Sequence, residues 1–483
     1  MSDSMFAAGL EIAVVALGLA VLLLDLWTPA SLKRQLGYAA AAGLALVLLF
    51  SLTLNSTVTT QAYGGMYVQD ALALYFKRFF LVATILVLVI SVDFAERITT
   101  GISEYYSLIL FALSGMMFAA SANDFVLLFV SLELITVTFY ILTSFQRGRS
   151  ASLEAGVKYL ILGALSSALM VYGIALVFGS ANTTNFNAIA GATDKLGTEP
   201  VFLAGLLLVV LGLGFKIAAF PFQIWAPDVY QGAPAPTTAF LAVGSKAAGF
   251  VLLIRLLFSA VPEIALHWEK LLMGIAAVTI LYGSLCAIPQ RNLKRLLGYS
   301  SIANAGYLLL GIAAMTRAGS AAILYYLGGY LFTVLAAFAV IALVSRVMES
   351  EDITALSGLH QRSPLLATAL TLSMVSLAGI PPLAGFVGKF LLLKSVIEQG
   401  GAFPAYYALA GVALFGVVVS LYYYFGVVRA IYWSDDSGDL SPIQVSLPLR
   451  ASLYLCIAGI FWLGLYPAPL FHLAEEAVKG FKL

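Results

Sequence analysis

Long apolar stretches, each of roughly 20 residues, follow one another along almost the whole chain. At 1.5 Å rise per residue, about 20 helical residues cross the ~30 Å hydrocarbon core of a bilayer. About fourteen such stretches can be placed by that length, approximately at 8–27, 37–55, 72–92, 105–121, 123–144, 156–179, 201–226, 235–260, 271–288, 297–315, 321–345, 365–395, 404–431 and 450–470. Their Leu/Val/Ala runs show none of the alternation of a β-barrel, so helices are the only element that satisfies the backbone in lipid. Composition agrees, because only 10% of residues are charged and 61% are hydrophobic, whereas soluble domains carry about 25% charged residues. The fold class expected is an all-α polytopic membrane protein. No polar linker exceeds about 20 residues, so 1–483 reads as a single membrane domain. The N-terminus carries Asp3 and Glu11 and lacks the basic region of a signal peptide, so the first span is expected to be retained.

Several function classes are excluded. The net charge is +1, with no basic stripe of the kind nucleic-acid proteins present. Cys286 and Cys456 lie in apolar runs and read as small core residues. The three histidines, His267, His360 and His472, are scattered. With no Cys/His ligand spacing and no Gly-rich loop after a strand, neither a metal nor a cofactor site is expected in this chain. Alternate loops carry Lys33, Arg34, Arg97, Arg147, Arg149, Arg291, Lys294, Arg295, Arg346, Arg362, Arg429 and Arg450, against Lys195, Lys270, Arg317, Lys479 and Lys482 in the others. The richer set is expected to be cytoplasmic, which places both termini on the outer side.

Two spans are interrupted. The seventh runs through Lys216 to Pro221 and Pro227, and the twelfth holds Pro381 and Pro382 just before Lys389. Proline removes a backbone donor and clashes one turn back, and in lipid the freed groups need protein or water partners. The two spans are five apart, so a five-span repeat would run in opposite directions in its two copies, as in many transporters. The expected division is a first inverted repeat at 105–260 and a second at 271–431, flanked by helices within 8–92 and 450–470.

Five of the ionisable residues inside apolar spans have little to explain them there: Glu133, Lys158, Lys216, Lys246 and Lys389. A charge at mid-membrane costs about 2.5–3.5 kcal/mol even on the forgiving insertion scale. An inert ion pair or a lysine reaching to the headgroups would explain some of them, Lys158 first, since it is near a span end. Burial disfavours the charged form of a lysine and a nearby carboxylate favours it, so a row of such lysines can hold and release protons. Arginine cannot, because it effectively never deprotonates. Water and hydroxyls such as Ser131, Ser245 and Tyr159 could bridge the row. Gly156, Gly214, Gly244 and Gly388 beside the lysines would allow close packing.

These stretches resemble the antiporter-like subunits of respiratory NADH:quinone oxidoreductase (complex I), over nearly the whole chain and most clearly about 125–430. The resemblance is carried by Leu132-Glu133-Leu, Lys158-Tyr159, Gly214-Phe-Lys216, Gly244-Ser-Lys246, Asn292-Leu-Lys-Arg-Leu-Leu-Gly-Tyr-Ser-Ser301 and Leu377-Ala-Gly-Ile-Pro-Pro-Leu-Ala-Gly-Phe-Val-Gly-Lys389. The run Pro227-Asp-Val-Tyr-Gln-Gly-Ala-Pro234 is similar to the N-type subunit of the bacterial enzyme, as is lysine at 389 where the M type carries glutamate. The resemblance implies fourteen helices with two inverted five-helix repeats, discontinuous at the seventh and twelfth. It also implies that Glu133 pairs with Lys216, Lys158 modulates that pair, Lys246 is the central relay and Lys389 the terminal exchange site. FMN, iron–sulfur clusters and quinone would belong to partner subunits, and the location would be a bacterial inner membrane. Alternatives on the same fold are a Mrp-type cation/proton antiporter or a membrane-bound hydrogenase subunit. A solute transporter or a scaffold without transport are rivals of other kinds.

Overall fold

The computed structural model describes residues 2–55, 58–98, 100–433 and 441–481; Lys482 and the side chain of Asp3 lie outside the described residues. Among the described residues, twelve helices are long and apolar enough to cross a membrane. A shorter helix and a pair of half-helices complete fourteen crossings. In chain order these are α1 (Gly9–Asp25), α2 (Leu36–Leu52), α3 (Ala71–Phe94), α4 (Ile102–Ala120), α5 (Phe125–Thr143) and α6 (Ser150–Ala181). The seventh is split into α7a (Pro200–Ile217) and α7b (Trp225–Gly232), and α8 spans Ala235–Ala260. Then come α9 (Glu269–Ala287), α10 (Leu293–Ala313), α11 (Arg317–Met348), the split α12a (Pro364–Ala378) and α12b (Ala384–Gln399), α13 (Ala405–Trp433) and α14 (Leu447–Leu465). A short α15 (Ala468–Val478) and a hairpin of β1 (Thr60–Ala62) and β2 (Tyr67–Gln69) lie outside the crossings.

Local sequence sets where the helices begin. Asp70, Asp124, Asn292, Thr316 and Ser446 each precede a helix and accept a hydrogen bond from a backbone N–H in its first turn. A cap of this kind contributes about 1 kcal/mol. α6 and α11 run past the apolar stretches 156–179 and 321–345 because polar turns bearing Glu154 and Arg346 extend them beyond the hydrocarbon.

Apolarity cannot sort these helices, since lipid is as apolar as leucine, so close packing of small residues does. A Cβ on Gly173 would lie 2.6 Å from the Gly205 carbonyl, and one on Gly283 only 2.3 Å from Ala303 N. These contacts clamp α6 to α7a and α9 to α10. The result is a centre made of α8, α10 and α11, almost wholly buried, while α6, α13 and α14 turn large apolar side chains outward.

Both interruptions fall at the fourth helix of a five-helix run, α4–α8 and α9–α13. Each opens on a left-handed residue, Ala218 (φ +58°) after α7a and Gly379 (φ +86°) after α12a. Pro221, Pro381 and Pro382 stand inside the breaks. Pro227 does not: it lies in the first turn of α7b, where a missing N–H is tolerated. The seventh helix therefore stops earlier than the apolar stretch 201–226 suggests. The left-handed turn ends it although the sequence stays apolar.

Ion pairs tie the two ends of the bundle. At one end, Glu96 binds Arg34 (2.6 Å) and Arg346 (3.0 Å), and Glu351 binds Arg149 and Lys294 (both 3.0 Å). At the other, Arg255 at the end of α8 makes a two-pronged bond to Asp70 (2.7 and 3.1 Å), and Arg317 donates to the Phe481 carbonyl. Both cysteines are free thiols, Cys456 buried and Cys286 half-buried.

Candidate functional site

Three of the five ionisable residues face the buried centre, each at a distortion in its helix. Lys216 is the penultimate residue of α7a. Its ammonium is buried, makes no hydrogen bond among the described residues, and stands 5.7 Å from the centroid of the Tyr159 ring. Tyr159 packs on Trp225 (4.8 Å) and Phe215 (5.9 Å), closing an aromatic wall behind the lysine. The break itself is satisfied by side chains. Trp225 Nε1 donates to the Phe215 carbonyl (2.9 Å), and Phe220 N donates to Thr279 Oγ1 (3.0 Å).

Lys246 follows a π turn at Leu241–Ser245 in α8. Such turns widen the helix and recur at functional sites. Its ammonium donates to the Ser301 carbonyl (2.5 Å) and to Ser301 Oγ, which is shared with Tyr230 Oη (2.7 Å). Lys389, in the second turn of α12b, reaches back across the break to the Leu377 carbonyl (2.6 Å) and lies 4.7 Å from the Tyr307 ring centroid. Its stem crosses Gly379, where a Cβ would come within 3.1 Å of Lys389 Cδ. Gly379→Ala should therefore displace the lysine and add about 1–2 kcal/mol of left-handed strain. The expected result is a lowered melting temperature; an unchanged one would contradict this geometry.

One helix joins Lys246 to Lys389. Ser300, Ser301, Asn304 and Tyr307 recur at three- and four-residue spacing on α10 and so share one face. Ser301 holds Lys246; Ser300 bonds Tyr424 Oη (2.5 Å); Asn304 accepts from Tyr326 Oη (2.7 Å) and donates to Ser300 Oγ (3.4 Å); Tyr307 stands beside Lys389. None of these α10 side chains was singled out from the sequence as part of a relay. Serine, asparagine and tyrosine are unremarkable in composition, and only their helical spacing marks them.

The other two residues sit differently. Glu133 is half-buried on α5 and accepts from Ser167 Oγ (2.5 Å). No ion pair joins it to Lys216, although the two are within electrostatic range. Lys158 is paired, to Glu154 and Asp228 (both 2.7 Å), and Asp228 also binds Arg295 (2.5 Å). Ser131 spends its hydroxyl on its own helix, at the Leu128 carbonyl. Of the four glycines, Gly156, Gly244 and Gly388 are packing positions, where a Cβ would come within 2.9 Å of Ser144, Met116 or Tyr326.

The structure also brings together buried charges absent from that set of five. Glu11 and Lys77 form an ion pair at 2.8 Å with both side chains fully buried, and Lys77 also donates to Tyr67 Oη (2.6 Å). Lys294 pairs with Glu351, and Arg255 with Asp70. Lys77, well inside the third span, was the signal available for the first pair. Among the described residues no group of three His, Cys, Asp or Glu side chains is placed to hold a metal.

A bundle of fourteen crossings with two interrupted helices and buried lysines beside the interruptions defines an antiporter-like membrane subunit. Residues 122–415 match the family described as NADH:quinone oxidoreductase/Mrp antiporter, TM. NADH-quinone oxidoreductase subunit N of Moorella thermoacetica is 42% identical over 98% of each chain, and that of Desulforamulus reducens 41% over 98% of each. A chain in the structure of respiratory complex I from Thermus thermophilus with bound aureothin is similar at 32% identity, with a TM-score of 0.80 over 96% of this chain and 99% of that one. A chain of the Mrp complex from Dietzia sp. superposes with a TM-score of 0.85 over 98% and 97%, but at 20% identity it shares the fold alone. This chain belongs to the family of NADH-quinone oxidoreductase subunit N.

Proposed function

We propose that this chain moves protons across the membrane as part of a respiratory NADH:quinone oxidoreductase, through a relay of Lys216, Lys246 and Lys389. The observation that carries the reading is the α10 face, which puts hydroxyl and amide groups between Lys246 and Lys389. Lysines can accept and release protons along such a line, and neutral hydroxyls can pass them. Glu133, half-exposed on the bundle surface, then acts as the charged group facing a neighbouring subunit, and Lys158 as its modulator from the Asp228 network.

In this reading α4–α8 and α9–α13 are the two inverted repeats, within 105–260 and 271–431. The Lys/Arg-rich end faces the cytoplasm and both termini face the outer side of a bacterial inner membrane. The partners are the adjacent antiporter-like and small membrane-arm subunits. NADH oxidation, with FMN, iron–sulfur clusters and quinone, belongs to other subunits, and this chain supplies no redox chemistry.

Lys246→Ala tests the relay. In inverted membrane vesicles containing the assembled complex, NADH-driven acidification should fall to near background. Full pumping with alanine at 246 would remove the central step and the reading with it.

A further inference from the structure

At the Lys/Arg-rich end, a polar cavity of about 670 Å³ opens between the α5–α6, α9–α10 and α11–α12a connections, lined by Arg97, Arg149, Gln231, Asn292, Glu349 and Glu351. Lys294 lies in the first turn of α10 beside this cavity and is 1% exposed. It is paired to Glu351 Oε1 (3.0 Å) and donates to the Ala233 carbonyl (2.8 Å), at the turn between α7b and α8. The pair is held in register by the backbone, since Leu293 N donates to the Glu351 carbonyl (2.8 Å) and Ile353 N to the Arg291 carbonyl (2.9 Å). Arg149 shares Glu351 Oε1 (3.0 Å) and Asn292 Nδ2 donates to Oε2 (3.4 Å).

The way inward from this pair is polar. Lys294 and Ser301 are seven residues apart on α10, two turns and about 10.5 Å along one face. Ala233, whose carbonyl takes the Lys294 bond, lies three residues after Tyr230, and Tyr230 Oη bonds Ser301 Oγ, which holds Lys246. We propose that Lys294 and Glu351 are the proton inlet through which Lys246 is recharged from the cavity. The inference rests on the relay reading above and adds its source.

The step balances in protons. The Glu351 carboxylate takes a proton from cavity water and its bond to Lys294 loses its ionic character. The Lys294 ammonium passes a proton inward, through water and the hydroxyls of Tyr230 and Ser301, to the neutral amine of Lys246. Lys294 then takes the proton held by Glu351, and the ion pair re-forms. The charges facing the pair are Arg149 and Arg97 on the α5–α6 and α3–α4 sides, with Glu349 and Asp352 on the loop that carries Glu351. Burial pushes the Glu351 carboxyl up, but Lys294 and Arg149 together hold it below its ordinary value.

A buried ion pair can be purely structural, and the experiment separates the two roles. In inverted vesicles with the assembled complex, proton uptake per NADH oxidised is measured for Glu351→Gln, Lys294→Met, their double variant and Glu351→Asp. The single changes should cut pumping about a hundredfold, while Glu351→Asp, which keeps a carboxylate, retains most of it. The double variant removes both charges and with them any cost of an unpaired one; it should assemble and still pump slowly. Normal pumping by the double variant would overturn the inlet. Lys246→Ala distinguishes the failures: if it too pumps normally, the relay reading falls; if it is inactive while the double variant pumps, only the inlet falls.

Discussion

Vesicles whose complex carries Lys216→Arg are expected to pump few or no protons, although the positive charge is kept. The ammonium of Lys216 is buried, without a hydrogen-bond partner among the described residues, beside the Tyr159 ring. A relay group there must lose its proton in each cycle, and arginine effectively cannot. The site is also tight, since a Cβ on Gly249 would come within 3.3 Å of Lys216 Cβ, so size alone could disable the larger side chain. Lys216→Ala controls for that. It removes both bulk and proton site and should fail equally. Measured as NADH-driven acidification, normal pumping with arginine at 216 would contradict the relay.

Glu11→Ala is expected to destabilise the protein by about 3–5 kcal/mol, because it strands a buried ammonium. Glu11 and Lys77 are both fully buried and 2.8 Å apart, joining α1 to α3 beneath the β hairpin. Tyr67 Oη, bonded to both, can solvate the remaining charge only in part. The double change Glu11→Ala with Lys77→Met takes the charge away and should recover most of the loss. Thermal unfolding of the purified complex, followed at this subunit, reads both. Equal stability of Glu11→Ala and the unaltered protein would show that the pair contributes nothing to holding α1 in place.

The crossings were legible because lipid imposes a length and forbids polar side chains along it. The interruptions were legible because proline has no other easy meaning there. What could not be read was where α7 stops. That depends on Ala218 adopting a left-handed turn, which a single apolar residue does not announce, and Pro227 falls after it rather than within it. The lysines of the site stood out by charge alone. Their partners did not, because a serine or asparagine on α10 costs little in any helix and acquires meaning only when another helix is laid against it. Four lysines set against one carboxylate looked unbalanced along the chain. In space, Asp228 answers Lys158, and among the described residues Lys216, Lys246 and Lys389 have no carboxylate within bonding distance. Family resemblance implied that Glu133 pairs with Lys216; in this arrangement the carboxylate rests on Ser167. That geometry belongs to a single chain, and Glu133 is partly open to whatever lies beside it.

The bond from Lys389 to the Leu377 carbonyl links the two halves of α12 across its own gap. Leu377 is next to the end of α12a, where the helix dipole concentrates negative charge. A charge-assisted hydrogen bond is roughly twice as strong as a neutral one. The strength of this contact therefore depends on a single proton: as an ammonium the lysine holds the half-helices by a charge-assisted bond, as a neutral amine by one about half as strong. Chemical occupancy at the end of the row is in that way also a mechanical quantity, expressed on a helix that reaches from one face of the bundle to the other.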